Sequence, residues 1–267
     1  MSVLYGFHHS IAGRRGYAGV FDEAERLGTT AVQLFAKSPR SWRLRRPRPG
    51  EIEAFRDARA IGRVERAVIH ASYLVNLGAS GEARAKSIFS LADDLQKAAL
   101  LGVEYVVVHP GSGELERVRE AALEALALAP RGPRLLLENV AGGGRKVGRS
   151  FEELARLIEG TELGVCFDTC HAFAAGYPLH SDPAGVLDEL DRVVGLERVP
   201  VIHLNDSAGA LGSGVDRHVN LGEGAIGEGL ARLVRDPRLD GKALIMETPA
   251  AYDEANLATL RRWLDGA

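Results

Sequence analysis

Short runs of β-branched and aliphatic residues recur along the chain, and a residue able to bind a metal follows most of them. Val68-Ile69 leads into His70, and Val106-Val107-Val108 into His109. Leu135-Leu136-Leu137 ends at Glu138, and Val165-Cys166-Phe167 at Asp168. Val201-Ile202 ends at His203, and Leu244-Ile245-Met246 at Glu247. Two earlier runs, Val3 to Phe7 before His8 and Thr30 to Phe35, bring the set to eight. Apolar runs without alternation are the pattern of parallel strands buried on both faces. Between them the period lengthens to that of amphipathic helices. Ile88, Leu91, Leu95 and Ala98 share one face through residues 83–101 and stop at Gly102, a natural helix C-cap. Phe151, Leu154, Leu157 and Ile158 do the same before Gly160, and Leu187, Leu190, Val193 and Val194 before Gly195. Leu257, Leu260 and Leu264 mark a last helix. Strand starts near residues 3, 30, 66, 104, 134, 163, 199 and 242 alternate with these helices, with no linker between domains. The pattern predicts an α/β fold, a single (β/α)8 TIM barrel over residues 1–267, close to the usual length of about 250.

In such a barrel the C-terminal ends of the strands converge on one face, where the chemistry sits. Six strand ends carrying His, Asp or Glu would meet there. Taken singly, each could be a hydrogen-bonded core residue. Taken together they cannot all be bland, because Glu138, Asp168 and Glu247 would be carboxylates with no Lys or Arg at a neighbouring strand end. Buried charges must be paired or must coordinate a metal. Two further segments extend the set. Asp168-Thr169-Cys170-His171 places a second ligand just past a strand end, and Asp216-Arg217-His218 puts Asp216 and His218 on one side of an extended loop. The candidates are then His70, His109, Glu138, Asp168, His171, His203, Asp216, His218 and Glu247. Zinc takes about four ligands, so nine suit two or three ions. Mixed imidazole and carboxylate ligation favours zinc or manganese over magnesium or calcium.

Composition narrows the class. Hydrophobic residues make up 46% of the chain and charged residues 26%, which gives a substantial core and argues against disorder. No run approaches the roughly 18 apolar residues of a membrane span, so the expected location is the cytoplasm. Two cysteines, Cys166 and Cys170, are too few for a disulfide framework or a zinc knuckle and read as small core residues beside Asp168. The net charge of −3 conceals an uneven distribution. Residues 37–48 hold Lys37, Arg40, Arg43, Arg45, Arg46 and Arg48 with no acid among them. Arg14 and Arg15 follow the first strand, and Arg145, Lys146 and Arg149 follow the fifth. All lie in strand-to-helix loops, on the face expected to hold the metals. Basic charge collected on one face is the footprint of a phosphate-bearing partner. Several metals beside it point to phosphate-ester hydrolysis, because paired ions both activate water and stabilise the leaving oxygen.

The motifs themselves then carry a resemblance. They are Leu34-Phe35-Ala36-Lys37, the eight residues from His70 to Leu77, His109-Pro110-Gly111-Ser112, and Glu138-Asn139 with Ala141-Gly142. They continue with residues 164–177, His203-Leu204-Asn205-Asp206-Ser207, Asp216-Arg217-His218 with Leu221-Gly222-Glu223-Gly224, and Glu247-Thr248-Pro249. Nearly end to end, the chain resembles the endonuclease IV family, the type 2 apurinic/apyrimidinic endonucleases of DNA base excision repair. The resemblance implies three zinc ions, with manganese an option in one or more sites. One would be held by His70, His109 and Glu138, and the second by Glu138, Asp168, His203 and Glu247. The third would be held by His171, Asp216 and His218. It also implies a metal-bridging Glu138 that accepts the proton of the attacking water. Incision would fall 5′ to an abasic site in duplex DNA and leave a 3′-hydroxyl and a 5′-deoxyribose phosphate.

By the same resemblance Lys37, Arg40, Tyr73, Leu74 and Arg217 would contact DNA, with Arg40, Tyr73 and Leu74 inserted at the gap. Wedging side chains into a base step costs a few kcal/mol, and least where a base is missing. The implied protein is a monomer, cytoplasmic and at the nucleoid when bound to DNA. Two positions depart from the pattern: Ser41 stands where a longer polar side chain is common, and Ala208 where a lysine is. The rival reading is a metal-dependent sugar isomerase or epimerase on the same barrel. It has no use for the set His171, Asp216 and His218.

Overall fold

The computed structural model describes residues 3–266, so Met1, Ser2 and Ala267 of the expected domain lie outside the described residues. Eight parallel strands close on themselves: β1 (Leu4–His9), β2 (Ala31–Phe35), β3 (Arg66–His70), β4 (Tyr105–Val108), β5 (Arg134–Glu138), β6 (Gly164–Asp168), β7 (Val201–His203) and β10 (Ala243–Met246). Each begins within two residues of its expected start. A small antiparallel ladder, β8 (Asp206–Ser207) with β9 (His218–Val219), stands in the loop after β7. The helices are α1 (Gly19–Leu27), α2 (Glu51–Ile61), α3 (Gly81–Leu101), α4 (Leu115–Ala127), α5 (Phe151–Ile158), α6 (Thr169–Ala175), α7 (Pro183–Val193), α8 (Glu228–Val234) and α9 (Asp253–Leu264). Among the described residues no helix is long and apolar enough to cross a membrane.

The two faces of the strands have separate tasks. Outward residues such as Ile69, Val106, Leu137, Phe167 and Leu244 pack with helix residues such as Leu91, Leu154, Leu187 and Leu260 in one large core. Inward residues Leu4, Ala31, Val68, Val107, Leu136, Cys166, Val201, Ala243 and Ile245 form a second, smaller core that plugs the barrel. Side chains alternate along a strand, so the next inward position lies two residues on. From that plug the step leads to Gly6, Gln33, His70, His109, Glu138, Asp168, His203 and Glu247. The polar layer is therefore the second storey of the barrel, resting on an apolar floor. At Gly6 a Cβ would lie 1.7 Å from the Ala31 carbonyl oxygen, so only glycine fits the close approach of β1 to β2.

One element was not expected. α6 starts directly after β6, with the Asp168 carboxylate accepting from His171 N at 2.7 Å as its N-cap, and ends at Gly176 in the left-handed region. Periodicity cannot register a helix this short, yet it turns His171 inward over the strand ends.

The loops at the mouth are tied to one another. The Pro39 carbonyl accepts from Ser72 Oγ at 2.8 Å and from Tyr73 N at 3.1 Å. Leu77 N donates to Pro110 O at 3.2 Å, and Ser112 N to Asn76 Oδ1 at 2.8 Å. Gly113 N donates to Arg145 O and Val147 N to Gly111 O, both at 3.0 Å. Gly212 N and Gly214 N donate to Phe173 O and Ala174 O at 3.0 and 2.9 Å. The buried Asp206 carboxylate gathers backbone N–H groups of Ser207, Gly222, Gly224, Ile226 and Gly227 and so shapes the turn after β9.

The arginine-rich loop between β2 and α2 proves only partly free. Lys37 is buried, ion-paired with Asp94 and Asp93 of α3, and donates to Ser90 O at 2.9 Å. This corrects the expectation of a DNA contact at Lys37: its ammonium is committed inside the protein, because a buried charge needs its counter-ions. Arg45 lies over the Tyr17 ring at 4.2 Å and, with Arg48, pairs with the buried Glu51 carboxylate. Arg40, Arg43 and Arg46 remain exposed.

Burial opposes ionisation of Glu51, but hydrogen bonds from Arg45 and Arg48 prevail and hold its carboxyl down at about 2. A depressed carboxylate adds stability above its unfolded value of 4.5, and that stability is lost as pH falls toward 2. Glu51→Gln is accordingly expected to cost on the order of 2 kcal/mol at pH 6. In urea unfolding across pH, the gap between wild type and variant should close below pH 4.5; a pH-independent gap would remove Glu51 as the tether.

Candidate metal centre

Barrel closure brings the strand-end residues into three adjoining groups. Potential donor atoms lie within 4.8 Å of one another in His70, His109 and Glu138, in Glu138, Asp168, His203 and Glu247, and in Asp168, His171 and His218. Glu138 stands at the centre. Its Oε2 lies 3.2 Å from His70 Nε2 and 3.0 Å from His109 Nε2. Its Oε1 lies 3.0 Å from His203 Nδ1 and 3.3 Å from His171 Nδ1. One fully buried carboxylate thus faces four imidazoles. The third group differs slightly from the expected one. Asp168 takes part in it, while Asp216 lies at its open edge, with Oδ1 3.1 Å from His171 Nε2 and 3.5 Å from His218 Nε2. All nine candidate ligands thus border one contiguous site.

The electrostatics show what this donor set demands. Burial alone would raise Glu138, but the imidazoles of His109 and His203 hold it well below the usual carboxylate range. Burial pulls His171 and His203 down, yet their surroundings raise both well above the ordinary imidazole value. Asp168 leads for His171, and Cys166 and Glu247 for His203. Without another cation, the histidines themselves must hold protons to balance buried carboxylates. His218 Nε2 is buried without a hydrogen-bond partner, 3.7 Å from Asp168 Oδ2. A mixed set of imidazoles and carboxylates, an orphaned ring nitrogen and no arginine or lysine among them fit divalent transition ions.

Three amides outside the expected ligand set orient these groups. Gln33 Oε1 accepts from His203 Nε2 at 2.8 Å, while its Nε2 donates to Glu247 Oε1 at 2.7 Å and to His8 Nδ1 at 3.1 Å. The reverse amide orientation would set its oxygen against the Glu247 carboxylate. His203 therefore carries its proton on Nε2 and turns Nδ1 toward Glu138. Burial pushes His8 down to about 3, so its ring is a neutral acceptor. Asn205 donates to Asp168 Oδ2 at 2.7 Å and accepts from Glu247 N at 2.9 Å. Asn139 Oδ1 accepts from Asp168 N at 2.6 Å, and its backbone carbonyl lies 2.9 Å from His171 Nδ1. The available signal was a polar amide inside or just beyond an apolar run, most plainly Gln33 within Ala31–Phe35.

The expected DNA contacts surround this site. Arg40 and Arg217 are exposed, and Leu74 is half-buried. Tyr73 is 52% exposed, with its ring 5.5 Å from that of His70 and 5.2 Å from that of Phe35, edge-on to both. Cys166 and Cys170 are buried free thiols, as expected of small core residues.

Outer hydrogen bonds of this kind typically change metal affinity about 10–100-fold. Gln33→Ala is therefore expected to release metal at chelator concentrations that wild type withstands, as measured by metal content after dialysis. Equal retention in both proteins would show that Gln33 does not orient the ligands.

Comparison with known proteins gives the family. The AP endonuclease 2 family model, described as a xylose isomerase-like TIM barrel, matches residues 21–266. Endonuclease 4 of Thermus thermophilus is 63% identical over 98% of this chain and 99% of its own length. A probable endonuclease 4 of Chloroflexus aurantiacus is 44% identical over 98% of this chain and 99% of that protein. The crystal structure of endonuclease IV from Thermus thermophilus superposes with a TM-score of 0.96 at 63% identity, covering 99% of this chain and all of the other. A likeness this complete spans the whole barrel, and the chain belongs to the endonuclease IV family of DNA repair nucleases.

Proposed function

We propose that the protein incises the phosphodiester bond 5′ to abasic sites in duplex DNA, leaving a 3′-hydroxyl and a 5′-deoxyribose phosphate. The observation that carries this reading is the set of three adjoining donor groups sharing Glu138 and Asp168. His70, His109 and Glu138 would hold one zinc ion, Glu138, Asp168, His203 and Glu247 a second, and His171, Asp216 and His218 a third, with manganese able to replace zinc. Bound ions would supply Lewis acidity, activating water and offsetting charge on the leaving 3′ oxygen. The remaining work belongs to side chains. Glu138, kept ionised by its imidazole neighbours, takes the proton from the attacking water. As the new P–O bond forms, the P–O3′ bond breaks, and the leaving oxygen acquires a proton. Gln33 and Asn205 keep His203, Asp168 and Glu247 from turning away during these changes.

Arg40, Tyr73 and Leu74 would enter the duplex at the missing base, with Arg43, Arg46 and Arg217 along the phosphates. Exposed cations on the rim make binding salt-sensitive. A single (β/α)8 domain acting as a monomer suffices for this role, in the cytoplasm and at the nucleoid when on DNA. A sugar isomerase would leave His171, Asp216 and His218 without a task.

Incision of a duplex oligonucleotide containing one stable abasic analogue tests the reading. Cleavage on its 5′ side, lost after chelation and restored by zinc, is expected; a folded, zinc-loaded protein that leaves the duplex intact would defeat the proposal. Glu138→Gln is expected to slow single-turnover incision about 10³-fold, within the range for a lost general base. A wild-type rate in that variant would remove Glu138 from the mechanism. Arg40→Ala should weaken discrimination between abasic and intact duplex more than it slows bound-state incision. Equal losses would contradict insertion.

A further inference from the structure

The proposed wedge comes from two loops that are far apart in sequence, and one buried hydroxyl joins them. Ser72 is 4% exposed. Its Oγ donates to the Pro39 carbonyl at 2.8 Å and accepts from Leu74 N at 3.2 Å. The same carbonyl accepts from Tyr73 N at 3.1 Å. That carbonyl belongs to the peptide unit leading into Arg40, so two donors, Ser72 Oγ and Tyr73 N, fix the plane from which Arg40 departs. The residues before it are equally constrained. Lys37 is held by Asp93, Asp94 and the Ser90 carbonyl, and the Ala36 carbonyl accepts from Tyr17 Oη at 2.7 Å. Pro39 adds its fixed φ.

We infer that Ser72 is a positioning residue for damage recognition, locking Arg40, Tyr73 and Leu74 into one preformed wedge. This rests on the DNA-insertion reading above. A wedge whose parts are already in register loses less conformational freedom on entering the duplex, and binds more tightly for that reason. The bond to Leu74 N is a local serine turn of a kind common to loops. The bond to Pro39, 33 residues away, does nothing for that turn and is the one that couples the loops.

A double-mutant cycle separates the two roles. Incision kinetics on the abasic-analogue duplex would be measured for wild type, Ser72→Ala, Arg40→Ala and the double variant, with thermal melts to confirm folding. Loss of one such hydrogen bond predicts a rise in KM of about 3- to 10-fold for Ser72→Ala, with kcat much less affected. In the Arg40→Ala background the same change should have an effect below about twofold, the usual limit of additivity. Ser72→Thr, which keeps the hydroxyl, should restore the wild-type KM. A wild-type KM in Ser72→Ala, the same fold-loss in both backgrounds, or failure of threonine to rescue would each overturn the inference alone. A wild type that incises no abasic duplex would overturn the functional reading as well as this inference.

Discussion

A buried carboxylate surrounded by four imidazoles is the constraint around which this molecule is arranged. Glu138 is fully enclosed, and among the described residues its ion-pair partners are histidines, with no lysine or arginine. A lone ionised carboxylate in such a place would be prohibitively costly. The positive charge that offsets it must come through the ring nitrogens, as protons or as metal ions. Every surrounding device follows from that demand. The apolar plug beneath the ligands keeps water from the far end of the barrel. The side-chain amides of Gln33 and Asn205 and the backbone carbonyl of Asn139 decide which atom of each ligand faces inward. α6 turns one further imidazole over the top.

Much of this was legible in the chain because barrel strands are written plainly. Strands covered on both faces need no alternation, so the eight runs stand out, and the polar residue ending each run falls at the mouth. What was not legible depends on partners distant in sequence. Lys37 sits in a run of cations and looks like the rest of them, yet Asp94, on a helix more than fifty residues later, removes it from the surface. Glu51 engages Arg45 and Arg48 by turning back beneath its own loop, although Arg48 stays exposed. Gln33 interrupts an apolar strand by a single residue, and its significance emerges only when β7 and the residue after β10 close on it. The motifs point to a third ligand group of His171, Asp216 and His218. Its sharing of Asp168 depends on a seven-residue helix too short to leave a period.

The basic loop shows how net charge conceals organisation. Of its six cations, Lys37, Arg45 and Arg48 are engaged by acidic side chains of the protein, while Arg40, Arg43 and Arg46 face outward. Anchored cations interspersed with free ones suit a loop that presents charge without collapsing onto the acidic groups of the site. The carboxylates nearby are already engaged by histidines or backbone, so the exposed arginines find little within the protein to fold back upon.

The hydrogen bonds that pass from one mouth loop to the next have a mechanical meaning as well. Loops on a barrel are ordinarily independent fingers, each as stiff as its own packing allows. Here, from Pro39 through Ser72, Pro110 and Arg145, they are fastened as the staves of a cask are by its hoop. A force on one stave passes to its neighbours and down into the strands beneath. A load applied at the mouth is therefore shared around the rim, and no one loop has to bear it alone.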